Sequence, residues 1–121
     1  MKKPLNLFIT GTDTGVGKTY FSNLLISAIV SNGENAVGFK PISCGDREDA
    51  EILLKSSYPE PSSIELINPI HLKTPAAPLA ASLIEGKEIN ITKVNIIGLK
   101  TSTIATSITL FNIISILNYI N

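Results

Sequence analysis

Apolar residues in the first part of the chain fall into short runs separated by glycine and proline, which is typical of alternating strands and helices. The run Leu5–Ile9 predicts a short, buried parallel strand. A helix is predicted from Lys18 to Asn32, because Gly33 then supplies a stop signal. Its apolar residues recur at spacings of three and four positions: Phe21, Leu24, Leu25, Ala28 and Ile29. That spacing predicts an amphipathic helix.

The pattern next predicts a second strand and a second helix. Ala36 to Phe39 is the strand, which ends where Pro41 removes a backbone donor. The helix runs to about Lys55 and carries four acidic residues before or within its first turn, Asp46, Glu48, Asp49 and Glu51. These acids either complement the helix dipole or include a metal ligand, and the sequence pattern alone favours the dipole. Residues 56–63 contain two prolines and predict an irregular loop.

A third helix is predicted further along the chain. Thr74 and Pro75 are typical of a helix cap and first position, so the helix is expected from Ala76 to Glu85, where Gly86 ends it. His71 has no evident partner that would make it a ligand or a base, and we leave it without a functional role. Strands that alternate with helices predict an α/β fold with a parallel sheet.

The composition changes in the last 28 residues, Val94 to Asn121. Ile, Asn, Ser and Thr supply 19 of them, and the chain contains no acidic residue after Glu88. Residues 101–121 carry no charge, so a membrane helix is one interpretation, although frequent Ser, Thr and Asn weaken it. A further strand or helix packed on the first part of the chain is the other interpretation.

The segment FITGTDTGVGKT, from Phe8 to Thr19, resembles a phosphate-binding loop. It is a near match, because the pattern G-x-x-x-x-G-K-[ST] requires glycine where Thr12 stands. Three glycines, Gly11, Gly15 and Gly17, allow backbone N–H groups to surround an anion. Lys18 adds a positive charge, and Thr19 offers a hydroxyl to Mg²⁺. The alternative is a turn between strand and helix that binds nothing.

Lys40 follows the second predicted strand directly. Ligands of open α/β sheets gather at the carboxyl ends of the strands, so Lys40 is a candidate for the crevice that also contains Lys18. An ordinary solvated lysine on the surface is an equally good interpretation of this position.

Length, charge and cysteine content narrow the class of protein. With 121 residues and 44% hydrophobic content, the chain forms one domain at most. Ten basic and ten acidic residues cancel, so no overall field attracts nucleic acid or an anionic membrane. Cys44 is the single cysteine, which excludes an internal disulfide, and no Cys/His cluster has zinc-ligand spacing. The first residues lack the pattern of a signal peptide, so a cytoplasmic location is expected.

Three blocks together resemble dethiobiotin synthetases, the ATP-dependent enzymes that close the ureido ring in biotin synthesis. They are FITGTDTGVGKT, GFKPISCGDREDAEIL and the segment from NP to PAAPLAASLIEG, in the family's order and at family-like spacing between Leu5 and Ile91. The first block alone also resembles loops of ParA/MinD-type ATPases and cobyrinate amidases. The resemblance implies a partial P-loop NTPase-like fold with three layers around a parallel sheet. It also implies a homodimer.

The resemblance further implies the reaction and the nucleotide-binding residues. Family members carbamylate 7,8-diaminopelargonic acid with CO₂, phosphorylate the carbamate from ATP, and let the second amine close the ring. The loop that contacts ATP corresponds to Gly15, Val16, Gly17, Lys18, Thr19 and Tyr20. Thr19 and Asp49 correspond to Mg²⁺ ligands, which reverses the preference that composition alone gives for Asp49.

Four positions correspond to catalytic or substrate-binding residues of the family. Lys40 and Lys18 have catalytic roles by resemblance, since two lysines and Mg²⁺ neutralise the charge that develops during phosphoryl transfer. Cys44 and Thr14 correspond to residues beside the substrate. Cys44 stands where relatives commonly carry Ser or Thr, and its sulfur is a weaker hydrogen-bond partner.

The resemblance ends close to residue 92. Family members continue with a buried strand and a Val-Glu-Gly-Ala-Gly-Gly type motif, whose Glu is another Mg²⁺ ligand, and the segment from Lys93 to Asn121 contains no acid. We therefore divide the chain into a dethiobiotin synthetase-like part, residues 1–92, and an atypical segment, residues 93–121. A reading-frame shift near Thr92 would explain the change in composition. An incomplete sheet would leave the protein marginally stable or prone to aggregate.

Overall fold

A computed structural model describes residues 5–10, 17–105 and 108–112, with side chains described as far as residue 103. Its strands are β1 (Leu5–Ile9), β2 (Ala36–Phe39), β3 (Ile42–Cys44), β4 (Ile70–Leu72) and β5 (Ile108–Asn112). Its α-helices are α1 (Lys18–Ser31), α2 (Glu48–Ser56), α3 (Pro78–Glu85) and α4 (Ile91–Ala105). A short 3₁₀ turn covers Ile64–Leu66. The α/β fold with parallel strands is confirmed.

The larger sheet has β5 at its centre, with β1 and β2 on either side and all three strands parallel. Successive side chains of a strand point to opposite faces of the sheet. On β2, Gly38 lies against Leu53 of α2, and the next residue, Phe39, lies against Gly98 of α4. Helices therefore cover both faces of β2, which gives three layers.

The two predicted strands are confirmed, but β1 is less buried than expected. Leu5 and Phe8 are each more than half exposed, whereas all four residues of β2 are buried. Within the part of the chain that the structure describes, β1 pairs only with β5, so it lies at the edge of that sheet. An edge strand has one neighbour fewer to cover its side chains.

Helix α1 is confirmed, but only part of its predicted apolar face packs on the core, since Leu25 and Ile29 are half-buried against it. Ser22 and Ile26 are its buried residues, while Phe21, Leu24 and Ala28 are exposed. Apolar residues surround much of this helix, so a spacing of three and four fits more than one face. The sheet selects the face that contains Ile26, which packs in the main core with Val37, Leu53 and Ile67.

Helix α2 is confirmed, whereas α3 begins at Pro78 rather than near Ala76. Proline disfavours helical backbone in the residue before it, and Ala77 is extended at φ −57° and ψ 146°. Pro78 then takes the first helical position, where its missing N–H costs nothing. Gly86 ends the helix with φ 64°, as expected.

The described residues after 90 form α4 and β5, which pack on the first part of the chain. The interpretations of residues 106–107 and 113–121 lie outside the described residues. Thr101 of α4 is fully buried, and its hydroxyl lies within hydrogen-bonding distance of the backbone oxygens of Leu66 and Ile97. No helix within the described residues is long and apolar enough to cross a membrane.

The smaller sheet pairs β3 with β4 in parallel and lies against α3. A second core forms here from Ile42, Leu72, Ala81 and Ile89. Because β3 follows β2 after only Lys40 and Pro41, this sheet holds the segment that leaves the carboxyl end of β2.

Candidate functional site

The glycine-rich segment lies between β1 and α1 in the sequence, and the structure describes its two ends, Thr10 and Gly17. Gly17 has left-handed backbone geometry at φ 95°, which favours glycine, and its carbonyl accepts the first hydrogen bond of α1 from the N–H of Phe21. Lys18 and Thr19 are the first residues of the helix and are half-buried. Gly11, Thr14, Gly15 and Val16 lie outside the described residues.

A cavity of about 440 Å³ opens beside this turn. Both ends of the turn line it, together with an aromatic ring from each flanking element: Phe8, Ile9, Thr10, Gly17, Lys18 and Phe21. Tyr20, the last residue expected to contact a nucleotide, is not among the lining residues and is 71% exposed. The cavity therefore lies at the N-terminus of α1, where backbone N–H groups and the helix dipole favour an anion.

The sheet register places Lys40 at the same end of the strands as the glycine turn. Ile9 pairs with Asn112 and Phe39 with Phe111, so Lys40 lies level with Ile9 on the other side of β5. Two strand spacings separate the two backbones, about 10 Å. The expectation that Lys40 directly follows a strand, at the carboxyl end of the sheet, is confirmed.

Lys40 is not a solvated surface residue. Its ammonium nitrogen lies 2.8 Å from Oδ2 of Asp49, and its side chain is 15% exposed while that of Asp49 is 49% exposed. Asp49 lies in the first turn of α2, whose acids Glu48, Asp49 and Glu51 complement the helix dipole. The structure therefore brings Lys40 and Asp49 together, and Asp49 serves the helix and the ion pair at the same time.

Cys44 ends β3 and is half-buried as a free thiol. Its pKa is raised above the ordinary value, first by burial and second by the negative charge of Glu85, while the positive charge of Lys40 lowers it. The thiol is therefore neutral near pH 7. The charge of Lys40, which is separated from β3 by one residue, therefore acts on the thiol at the carboxyl end of the same strand.

Asn68 is a site residue that sequence reasoning missed. It is fully buried just before β4, and its side-chain nitrogen donates hydrogen bonds to the backbone oxygens of Lys40 and Ile70, at 2.8 and 3.2 Å. Its side-chain oxygen accepts hydrogen bonds from Ser43 and Arg47, at 2.8 and 2.9 Å. The dipeptide Asn68-Pro69 occurs in the third resembling block, but nothing in its spacing marks a buried amide.

His71 and Glu85 hold the loops on the other side of Cys44. A ring nitrogen of His71, Nε2, lies 2.7 Å from the carbonyl oxygen of Gly45, which makes His71 structural. The carboxylate of Glu85 accepts hydrogen bonds from the N–H groups of Lys73 and Thr74, at 3.2 and 3.0 Å. The bond from Thr74 is the largest cause of a lowered Glu85 pKa.

The parallel sheet and the glycine turn that leads into α1 define a partial P-loop NTPase-like fold. Residues 5–109 match a protein-family model described as an AAA domain. Because the match covers most of the chain, the chain belongs to this family.

Curated relatives give a narrower similarity. The chain is 41% identical to the ATP-dependent dethiobiotin synthetase of Akkermansia muciniphila over 85 residues, which are 70% of this chain and 39% of that protein. It is 41% identical over 88 residues to the Methanococcus vannielii protein of the same name. It is 44% identical over 93 residues to the protein of that name from Anaeromyxobacter sp. strain K. Each of these two alignments covers 73% of this chain and 41% of the relative. The resemblance to dethiobiotin synthetases is confirmed. The chain spans about two fifths of the length of the curated relatives it matches.

Proposed function

We propose that this chain provides the phosphate-binding and phosphoryl-transfer part of an ATP-dependent dethiobiotin synthetase, which closes the ring of 7,8-diaminopelargonic acid with CO₂ and ATP. One observation carries the proposal. The Lys40–Asp49 pair lies at the carboxyl end of β2, which is the same end of the sheet as the glycine turn after β1. A cation and a carboxylate beside a phosphate-binding turn are the groups that phosphoryl transfer requires.

The positions of the two lysines support charge neutralisation rather than covalent catalysis. Lys18 lies at the N-terminus of α1, which itself attracts phosphate. Lys40 would neutralise charge on a carbamate and on the transferring phosphoryl group. Both roles depend on alignment and charge, and neither needs a nucleophilic side chain.

The oxygen donors fit a Mg²⁺ ion that is shared with the nucleotide phosphates. Thr19 offers a hydroxyl at the start of α1, and Asp49 offers a half-exposed carboxylate. Mg²⁺ commonly uses one or two carboxylates with phosphates and water. Bound there, Mg²⁺ would neutralise phosphate charge as a Lewis acid.

The substrate side of the site would lie at Cys44 and Thr14. A neutral thiol at the end of β3, close enough to Lys40 to feel its charge, suits a position beside the uncharged part of a diamine substrate. Thr14 belongs to the glycine turn and takes this role by resemblance only. A cytoplasmic location fits this set of small, soluble substrates.

A family-like homodimer is part of the proposal, and the outer face of α3 supports it. Leu79, Leu83 and Ile84 lie on consecutive turns of one short helix, and they are 50%, 74% and 70% exposed. Apolar side chains grouped in this way often mark an interface. Light scattering should give twice the chain mass, and Leu83→Glu should reduce it to one chain mass. An unchanged mass would contradict this interface.

Product formation tests the function directly. The purified chain is incubated with diaminopelargonate, bicarbonate and Mg-ATP, alone and together with the carboxyl-terminal part of a curated relative expressed separately. We expect little dethiobiotin from the chain alone, and product from the mixture that disappears with Lys40→Ala. Mixtures that bind ATP but never form product would contradict ring closure.

A second candidate is nucleotide binding without ring closure. Residues 89–121 contain no acid that could take the place of the Mg²⁺-binding Glu which the family carries after its next strand, and this composition favours the second candidate. ATP binding that is lost with Lys18→Ala, without product in any mixture, would support this candidate over the enzyme.

A further inference from the structure

Every donor and acceptor of the Asn68 side chain takes part in a hydrogen bond, and the partners include Lys40 itself and Arg47, which lies two residues before Asp49. Its two N–H groups reach the carbonyl oxygens of Lys40 and Ile70, and its oxygen accepts from Ser43 Oγ and Arg47 Nε. An amide has two donors and one oxygen with two lone pairs, so all four are used. A buried amide that is fully satisfied fixes the groups around it.

Both backbone groups of Lys40 hydrogen-bond to the segment that contains Asn68. The N–H of Lys40 donates to the carbonyl oxygen of Ile67 at 2.7 Å, and its carbonyl oxygen accepts from Asn68 Nδ2 at 2.8 Å. The following residue, Pro41, has no N–H with which to hold the turn. The direction in which the Lys40 side chain leaves the backbone therefore depends on residues 67 and 68.

The same residue also holds the beginning of α2. Arg47 immediately precedes the helix, and its guanidinium contacts Asn68 twice, at Oδ1 through Nε (2.9 Å) and at the backbone oxygen through an Nη atom (2.8 Å). Glu65 lies 3.7 Å from the other Nη atom. Asp49 lies two residues after Arg47, so its position relative to Lys40 depends on this contact.

We propose that Asn68 is a positioning residue, which holds the Lys40 backbone and the start of α2 so that the Lys40 ammonium and the Asp49 carboxylate meet. The importance of that meeting for phosphoryl transfer rests on the proposed function. The geometric role of Asn68 does not, and it can be measured separately.

Two variants separate this role from a general contribution to stability. Asn68→Asp keeps an oxygen for Ser43 and Arg47 but loses the donor to Lys40, and it places a negative charge beside a carbonyl oxygen. Ser43→Ala is the matched control, because it removes a buried hydrogen bond of Asn68 and leaves the bond to Lys40 intact. Urea unfolding shows whether each variant is folded. Arg47→Lys, which keeps the charge but not the two-point contact, tests the α2 side if Asn68→Asp does not fold.

The first measurement is the NMR signal of the Lys40 ammonium in the full chain. In the otherwise unmodified protein, Asp49→Asn should shift this signal, because the two groups are in contact. The shift should persist in the Ser43→Ala background and largely disappear in the Asn68→Asp or Arg47→Lys background. An equal shift in every background would overturn the positioning role.

The second measurement is Mg-ATP affinity in a double-mutant cycle. Asn68→Asp should weaken binding about tenfold when Lys40 is present, and less than about twofold in a Lys40→Ala background. Equal weakening in both backgrounds would mean that Asn68 acts through stability alone and would also overturn the proposal. If the unmodified chain does not bind Mg-ATP, the proposed function fails, and the NMR measurement still decides the role of Asn68.

Discussion

The ammonium nitrogen of Lys40 lies 2.8 Å from the Oδ2 atom of Asp49, nine residues further along the chain. The two partners are buried to different degrees, because Lys40 leaves the buried end of β2 while Asp49 lies in an open helical turn. The ion pair therefore joins a mostly buried ammonium group to a half-exposed carboxylate. Under the proposed function, a nucleotide phosphate would compete with Asp49 for Lys40, and the accompanying cation would compete with Lys40 for Asp49.

Removing Lys40 and removing Asp49 should lower the free energy of unfolding by different amounts. Lys40→Met leaves a half-exposed carboxylate that water can solvate, so the free energy of unfolding should fall by no more than about 1 kcal/mol. Asp49→Ala leaves a mostly buried ammonium without its hydrogen bond, which should cost about 1.5–3 kcal/mol. Urea unfolding at pH 7 measures both values. A larger loss for Lys40→Met than for Asp49→Ala would contradict the burial described here.

Two glycine substitutions test the packing of helices on both faces of β2. A Cβ atom at Gly38 would lie 2.9 Å from two side-chain atoms of fully buried Leu53, so Gly38→Ala should cost about 1–3 kcal/mol. A Cβ atom at Gly98 would meet Phe39 at an ordinary 3.5 Å. Gly98→Ala should therefore stabilise the protein by up to about 1 kcal/mol through its helix propensity.

Denaturant unfolding of the two variants gives the comparison. A destabilising Gly98→Ala would mean that α4 does not lie against Phe39 as an ordinary helix. A neutral Gly38→Ala would mean that Leu53 has room to move.

The thiol of Cys44 should titrate at a higher pH in the folded chain than in the unfolded chain. Burial raises its pKa most, and Glu85 raises it further. Because the folded pKa exceeds the ordinary value of 9.0, the thiol contributes stability that is complete below about pH 9 and is lost as the pH rises through the folded pKa. Iodoacetamide should therefore modify the native protein more slowly than the urea-unfolded protein at pH 8.

The neighbours of Cys44 provide the controls. Glu85→Gln removes a negative charge and should lower the pKa of the thiol, whereas Lys40→Met removes a positive charge and should raise it. The environment is misassigned if the native thiol titrates at or below the pH of the unfolded one.

Glu85 should stabilise the loop before α3 in its charged form. Its pKa is lowered chiefly by the N–H of Thr74, so its contribution is present above about pH 4.5, the ordinary value, and is lost as the pH falls through the folded pKa. Glu85→Gln should lower the melting temperature at pH 7 by an amount that shrinks at pH 3. Glu88→Gln, at an exposed position, is the matched control. A difference that does not depend on pH would indicate lost packing instead of lost charge.

The local pattern predicts β1, β2 and the helices α1, α2 and α3, but neither the three-residue strands β3 and β4 nor which helix faces are buried. Proline and glycine placed the ends of β2 and α3, since each has a specific backbone effect. For α1, several apolar positions expected by spacing are exposed, Phe21 and Leu24 among them. The choice of face depends on the rest of the sheet, which no single helix encodes.

The sequence carries signals for the candidate site only where a residue type has a specific chemistry. Glycines before Lys18 and a lysine after β2 are such signals, whereas Asn68 gains its importance from partners up to 28 residues away in sequence. The interpretation of residues 93–121 as the product of a frame shift stays a prediction. The nucleotide sequence after codon 92, translated in three frames, tests it.

Mg-ATP affinity of the full chain tests most directly whether the glycine turn and Lys40 belong to one site. Isothermal titration should detect binding that weakens at least about tenfold with Lys18→Ala and also with Lys40→Ala. Lys55→Ala, at the far end of α2 from Asp49, removes the same charge and should leave the affinity unchanged. No binding, or equal affinity for all four proteins, would contradict the account.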